Sequence, residues 1–112
     1  MKFQVTVVSI LLGLSLLVSS KGAVKQGGAG LGAKLFAENC ATCHEGGLNK
    51  IKPEKTLKVA DLKANGFNGP ADIQQRIKEG KGIMPSFEEK LKPEEIKAIA
   101  AYVWGKAQKN WK

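Results

Sequence analysis

Two cysteines three positions apart, with a histidine directly behind the second, constrain this 112-residue chain more than any other feature. Cys40 and Cys43 are its only cysteines and His44 its only histidine, in the run Cys40-Ala41-Thr42-Cys43-His44. Thiols at this spacing can add across the two vinyl groups of a haem, and a histidine immediately after them is brought beneath the iron as its proximal ligand. A chain fastened to a macrocycle at two points has to wrap around it. Three other readings compete. A thioredoxin-like redox pair wants a βαβ setting, which this chain does not offer. A structural zinc site needs four ligands, and two cysteines with one histidine leave a position empty. A local disulfide would close too small a loop to stabilise much. Haem attachment is the favoured reading.

The length fits one domain with a thin core, and only seven residues are aromatic. Chains this short gain stability from disulfides, a metal or a large cofactor, and two cysteines cannot form a disulfide framework. A buried macrocycle would supply what the core lacks.

Residues 1–20 read as a secretory signal peptide. Lys2 precedes an apolar stretch from Val5 to Val18, interrupted by Thr6, Ser9, Gly13 and Ser15 and followed by Ser19 and Ser20. Cleavage is expected between positions 20 and 23. The apolar stretch is shorter than the ~20 residues a bilayer-spanning helix needs, so no stable membrane insertion is expected after its removal. Export bears on the cysteines, because an oxidising compartment closes unligated pairs into disulfides. The formal charge is +8, with lysines spread from Lys50 to Lys112 and no interleaved aromatics. With export, that pattern argues against nucleic acid and for a solvated basic surface or an acidic docking partner.

Residues 21–30 carry Gly22, Gly27, Gly28 and Gly30 and read as a flexible lead-in to a domain over 31–112. Leu31, Leu35 and Phe36 predict a first helix to Asn39, with the cysteine motif at its C-terminal end. Leu57, Ala60, Leu62 and Ala64 predict a short second helix ending at Asn65-Gly66. A third opens at Pro70 and runs to Gly80, with Ile73 and Ile77 on one face. The longest runs from Pro93 to Gln108, with Ile96, Ile99, Ala100 and Val103 at helical spacing, and Gly105 suggests fraying toward Lys109. The fold class is all-α, about four helices.

The iron's sixth ligand is narrowed by scarcity. Met84 is the only methionine besides Met1, which would leave with the signal. A lone methionine is more often core filler. Here Gly80, Gly82 and Pro85 put it on a loop between helices, where Pro85 stiffens the backbone just after it. His/Met ligation fills both axial positions, favours electron transfer over oxygen chemistry and raises the reduction potential. The rival is an open-site haem protein handling a small ligand.

The chain resembles the class I cytochromes c, and among them cytochrome c6 (cytochrome c553). The resemblance rests on Gly32 and Phe36, Cys40 to Gly47 (C-A-T-C-H-E-G-G), Lys55 to Leu57, Gly80 to Phe87 (G-K-G-I-M-P-S-F), Leu91 to Val103 and Trp111. It implies one haem c bound covalently at Cys40 and Cys43, axial iron ligands His44 and Met84, and first and last helices crossing through Gly32 and Phe36 against Tyr102. It also implies a monomeric one-electron carrier rather than an enzyme, in the thylakoid lumen or periplasm. Its partners would be a cytochrome b6f-type donor and, as acceptor, photosystem I or a terminal oxidase. A respiratory periplasmic cytochrome of another subfamily is the alternative. Two positions depart from the resemblance: Arg76, where the family often has glutamine, and Glu88-Glu89-Lys90, where it often has a glycine and an arginine.

Overall fold

A computed structural model of the chain describes residues 29–112; the expected signal peptide and residues 21–28 of the expected lead-in lie outside them. Five helices follow in order: α1 Ala29–Asn39, α2 Ala41–His44, α3 Val59–Ala64, α4 Pro70–Glu79 and α5 Pro93–Gln108. A 3-10 turn, Glu45–Gly47, continues directly from α2. Among the described residues the only extended pairing is an isolated bridge between Lys81 and Met84. The expected all-α class is what the chain adopts.

Helix α5 is the axis of the structure, because its apolar stripe is wide enough to serve two neighbours. Ile99, Ala100 and Ala107 are fully buried, with Ile96 and Val103 nearly so. Against them pack Leu35 and Phe36 of α1, Leu62 of α3, Ile73 and Ile77 of α4, and Phe87 and Leu91 of the loop before α5. Burying an aliphatic side chain of this size contributes about 1.5–3 kcal/mol, so truncating Ile99 would cost about 2–5 kcal/mol. The start of α5 is fixed locally. Pro93 stands in the first turn, and the Glu95 carboxylate accepts the Lys92 N–H at 2.8 Å.

Helices α1 and α5 cross closely enough to exclude a side chain. A Cβ on Gly32 would lie 2.8 Å from the Tyr102 Cβ and overlap the Ala98 carbonyl oxygen. Beside that point the Phe36 and Tyr102 rings sit 5.4 Å apart, the expected pairing. Trp111 joins them, 5.3 Å from Phe36 and 6.0 Å from Tyr102 in an edge-on arrangement. Tilted and edge-on aromatic contacts add about 0.5–1.5 kcal/mol beyond their buried area.

The sequence expectations fail at three boundaries. Helix α1 begins at Ala29, inside the expected lead-in. Helix α3 begins at Val59 rather than Leu57, because Lys58 is extended and Thr56 is turned toward Asp61, its amide and hydroxyl donating to the carboxylate at 3.1 and 2.5 Å. Gly105 does not fray α5. The chain after Gln108 folds back instead, with the Trp111 amide donating to the Lys106 carbonyl at 2.7 Å.

Candidate haem site

The cysteine motif is a turn of its own rather than the last turn of α1. Helix α1 stops at Asn39, and the Cys40 carbonyl then accepts from both the Cys43 and the His44 amides, at 3.1 and 2.9 Å. One acceptor thus gathers the three reactive side chains on a single turn of backbone. The turn ends where Gly46 and Gly47 take left-handed φ values of 66° and 81°, a region that residues with a Cβ rarely occupy. This reversal sends Leu48 back past the histidine.

His44 is oriented by that reversal. Its Nδ1 lies 3.0 Å from the Leu48 carbonyl oxygen. A carbonyl can only accept, so Nδ1 carries the proton and Nε2 is the nitrogen left for a metal. An imidazole held through its other nitrogen is the usual state of a metal-ligating histidine, and the hydrogen bond raises its basicity as a ligand.

The two thiols are free and half-buried, and Cys40 packs against the core. Burial pushes the Cys40 thiol up to about 11. Dithiols that exchange electrons have thiolates favoured by positive surroundings. Cys40 is shifted the other way, which sets this turn apart from a thioredoxin-like pair.

Met84 comes from a separate segment between α4 and α5. It is half-buried and packs against the same core as Cys40. The Lys81 amide donates to the Met84 carbonyl at 2.9 Å and the Met84 amide to the Lys81 carbonyl at 3.0 Å, closing a tight loop. Gly80 opens the loop at φ 72°, where a Cβ would lie 2.6 Å from the Met84 carbonyl oxygen. Among the described residues, the three exposed large aliphatic ones flank these segments: Leu48 and Ile51, each 49% exposed, follow the histidine, and Ile83, 72% exposed, precedes the methionine. An imidazole with Nε2 free, two free thiols and a thioether match the chemistry of a covalently held haem with soft axial ligation.

The two departures noted in the sequence have defined settings. The Arg76 guanidinium lies 4.9 Å from the centre of the Phe67 ring, and the Lys90 ammonium 5.6 Å from that of Phe87, both cation–π distances. Glu88 reaches Lys78 at 3.9 Å, an exposed pair worth little. Sequence reasoning singled out Cys40, Cys43, His44 and Met84 but did not anticipate the Leu48 carbonyl at His44 or the Trp111 ring lying against Gly47. Backbone acceptors carry no residue-type signal, and the glycine pair after the motif read only as a loop.

All-helical packing, a glycine-mediated crossing of the first and last helices and a Cys-x-x-Cys-His turn define a class I cytochrome c fold. Residues 28–103 match the family model described as cytochrome C oxidase, cbb3-type, subunit III. Cytochrome c6 of Nostoc sp. is 49% identical over 81 residues, 72% of this chain and 73% of that protein. Cytochrome c6 of Anabaena variabilis is 51% identical over 81 residues, 72% of this chain and 94% of that protein. The crystal structure of cytochrome c6 from the diatom Phaeodactylum tricornutum superposes with a TM-score of 0.73 at 41% identity, covering 75% of this chain and 99% of that one. The chain belongs to the cytochrome c6 family. It is therefore a haem electron carrier and not an enzyme.

Proposed function

We propose that the chain carries single electrons through one haem c, fixed by thioether bonds to Cys40 and Cys43 and ligated by His44 and Met84. The observation that carries this reading is the His44 ring, tied by Nδ1 to the Leu48 carbonyl and so left with one nitrogen for iron. The bound haem supplies the one-electron couple. The chain's part is to hold it: the turn at Cys40 fixes the attachment points, Leu48 keeps the imidazole in one tautomer, and the Gly80–Pro85 loop presents the thioether. Ligation by both His44 and Met84 would leave oxygen no site on the iron, so the group would serve electron transfer.

Purified holoprotein tests this directly. The Soret band should survive acidic solvent extraction of haem, the oxidised protein should show the far-red methionine-to-iron charge-transfer band, and a redox titration should fit one electron. Absence of a Soret band, in a host with working haem maturation, would overturn the attachment. Absence of the far-red band alone would overturn Met84 as ligand and favour an open site.

The donor in this reading is a cytochrome b6f-type complex and the acceptor photosystem I, in the thylakoid lumen or periplasm, with residues 1–20 acting as the export signal and the carrier working as a monomer. The likeness to cytochromes c6 supports a carrier working between redox complexes. A terminal oxidase is the second acceptor that the resemblance implies. Lysines 50, 52, 55, 58, 63, 78, 81 and 90 are exposed, and the only ion pairs among described residues are loose. Their charge would steer an acidic partner, so encounter rates should fall as salt rises. Rates that stay flat across ionic strength would exclude steering.

A further inference from the structure

Trp111 does more than close the crossing of α1 and α5. Its indole lies flat on the backbone of the turn behind His44. A Cβ on Gly47 would sit 2.5 Å from three atoms of the Trp111 ring, so the absence of a side chain at Gly47 is what admits it. The indole Nε1–H donates to the Leu57 carbonyl at 3.0 Å, and the Leu57 amide donates to the Gly47 carbonyl at 2.7 Å. Gly47 is bonded in turn to Leu48, whose carbonyl accepts the His44 ring proton. Three links therefore run from the indole to the imidazole: ring on peptide, indole to Leu57, and Leu57 back to Gly47.

The backbone that delivers Trp111 is held away from its relaxed state. Asn110 and Trp111 have φ of 55° and 61°, and they are the only non-glycine residues with positive φ among the described residues. A bulky residue such as Trp111 persists in this region only where its surroundings over-determine it. Here the surroundings are Phe36, Tyr102, Gly47 and Leu57, all on other segments.

We infer that Trp111 is a positioning residue for the proximal histidine: by clamping Gly47 and Leu57 it holds the Leu48 carbonyl on His44 Nδ1. The inference rests on His44 being the iron ligand. A firm hydrogen bond at Nδ1 makes the imidazole a stronger donor to iron and favours the ferric state. Loosening it raises the midpoint potential and exposes the ring proton to solvent. A clamp that served only general stability would leave both unchanged so long as the protein remained folded.

The test uses full-length holoprotein carrying Trp111→Phe, which keeps a ring over Gly47 but cannot donate to Leu57, with Trp104→Phe as control. Trp104 also packs on the core, and no indole hydrogen bond from it is present among the described residues. The readouts are solvent exchange of the His44 ring proton in the reduced protein, followed by NMR, and the midpoint potential. Expected for Trp111→Phe are exchange faster by roughly tenfold or more, corresponding to about 1.4 kcal/mol of lost protection, and a raised potential. The control should move neither. Unchanged exchange and potential in Trp111→Phe, or equal shifts in both variants, would overturn the inference.

If Trp111→Phe fails to take up haem, the wild-type protein decides. Exchange of the Trp111 indole and His44 ring protons through one opening, with the same denaturant dependence, supports the clamp. A His44 proton that stays protected after the indole proton has exchanged refutes it. Loss of the proposed ligation is told apart from loss of the clamp, because it would already remove the far-red band from the wild type.

Discussion

The cysteine–histidine turn, residues 40–48, and the methionine loop, residues 80–86, which carry the proposed site, are held by different means. The turn is braced from far away in sequence: α1 leads into it and packs on α5, and Trp111 lies on Gly47 and bonds to Leu57. The loop is braced almost wholly by its neighbours. Gly80 N–H reaches the Arg76 carbonyl at 2.7 Å, the Lys81–Met84 bridge closes it, and the Ser86 hydroxyl donates to the Lys78 carbonyl at 2.6 Å. Residues 81, 82, 83, 85 and 86 are exposed. Segments tied by local, solvent-exposed bonds open without global unfolding, whereas segments tied through the core open with it. The methionine side of the site is thus the soft side and the histidine side the firm one.

The largest effect that could break this contrast comes from Met84→Ala. The far-red band should vanish and the midpoint potential fall, because the thioether's preference for ferrous iron is gone, while covalent haem and helical circular dichroism persist. Shedding of haem or collapse of the helices would show that the two sides stand or fall together. Next is Gly32→Ala, which drives a methyl into Ala98 and Tyr102. Overpacking of this kind costs about 1–3 kcal/mol, and each kcal/mol lowers Tm by roughly 4–8 °C in a domain of this size. Helicity should then be lost at a lower temperature than in the wild type, since the crossing braces the firm side, and the gap between loss of the far-red band and loss of helicity should narrow.

A smaller and more selective effect is expected of Gly80→Ala, at a left-handed position where an L side chain costs roughly 1–2 kcal/mol. Here the far-red band should disappear at lower urea than helicity does; coincident transitions would contradict a locally held loop. The smallest concerns Asp61. The Thr56 hydroxyl and amide, and then the Lys58 charge, hold its carboxyl below the usual carboxylate range. A depressed native value means the stabilising contribution is present above about pH 4, the ordinary carboxylate range, and is lost as pH falls through the native value. Thr56→Val should flatten the acid limb of stability in urea titrations at stepped pH and leave the far-red band unchanged at pH 7.

Much of this was legible in the sequence, for physical reasons that differ by element. The bounds of α5 could be read at both ends because Pro93, Glu94 and Glu95 mark its start and the apolar spacing from Ile96 to Val103 marks its face. Helix α4 announced itself through Pro70, Asp72 and the Ile73/Ile77 pair. The site residues stood out by scarcity, as the only cysteines, the only histidine and the only internal methionine. What escaped was set by contacts distant in the chain or by backbone alone. The break after Asn39 depends on the Cys40 carbonyl taking two amides. Leu57 has a helix-forming pattern around it yet its backbone is taken up by hydrogen bonds with Gly47 and Trp111, the latter 54 residues away. Trp111 itself offered no periodicity, and its place emerges only once Gly47 is seen to lack the Cβ that would block it.

The crossing at Gly32 also has a kinetic side. Helices α1 and α5 are the first and last elements described, so their contact closes a ring of chain spanning residues 40–92 that contains Cys40, Cys43, His44 and Met84. Ring closure of a flexible segment has an entropic penalty that grows with the logarithm of its length. A tie between His44 and Met84, of the kind proposed, would cut out the stretch between them and leave a ring shorter by roughly fourfold, easing closure by about 1 kcal/mol. Haem uptake would then speed the search by which the two outer helices find one another, and refolding of the loaded chain should outpace that of the bare one.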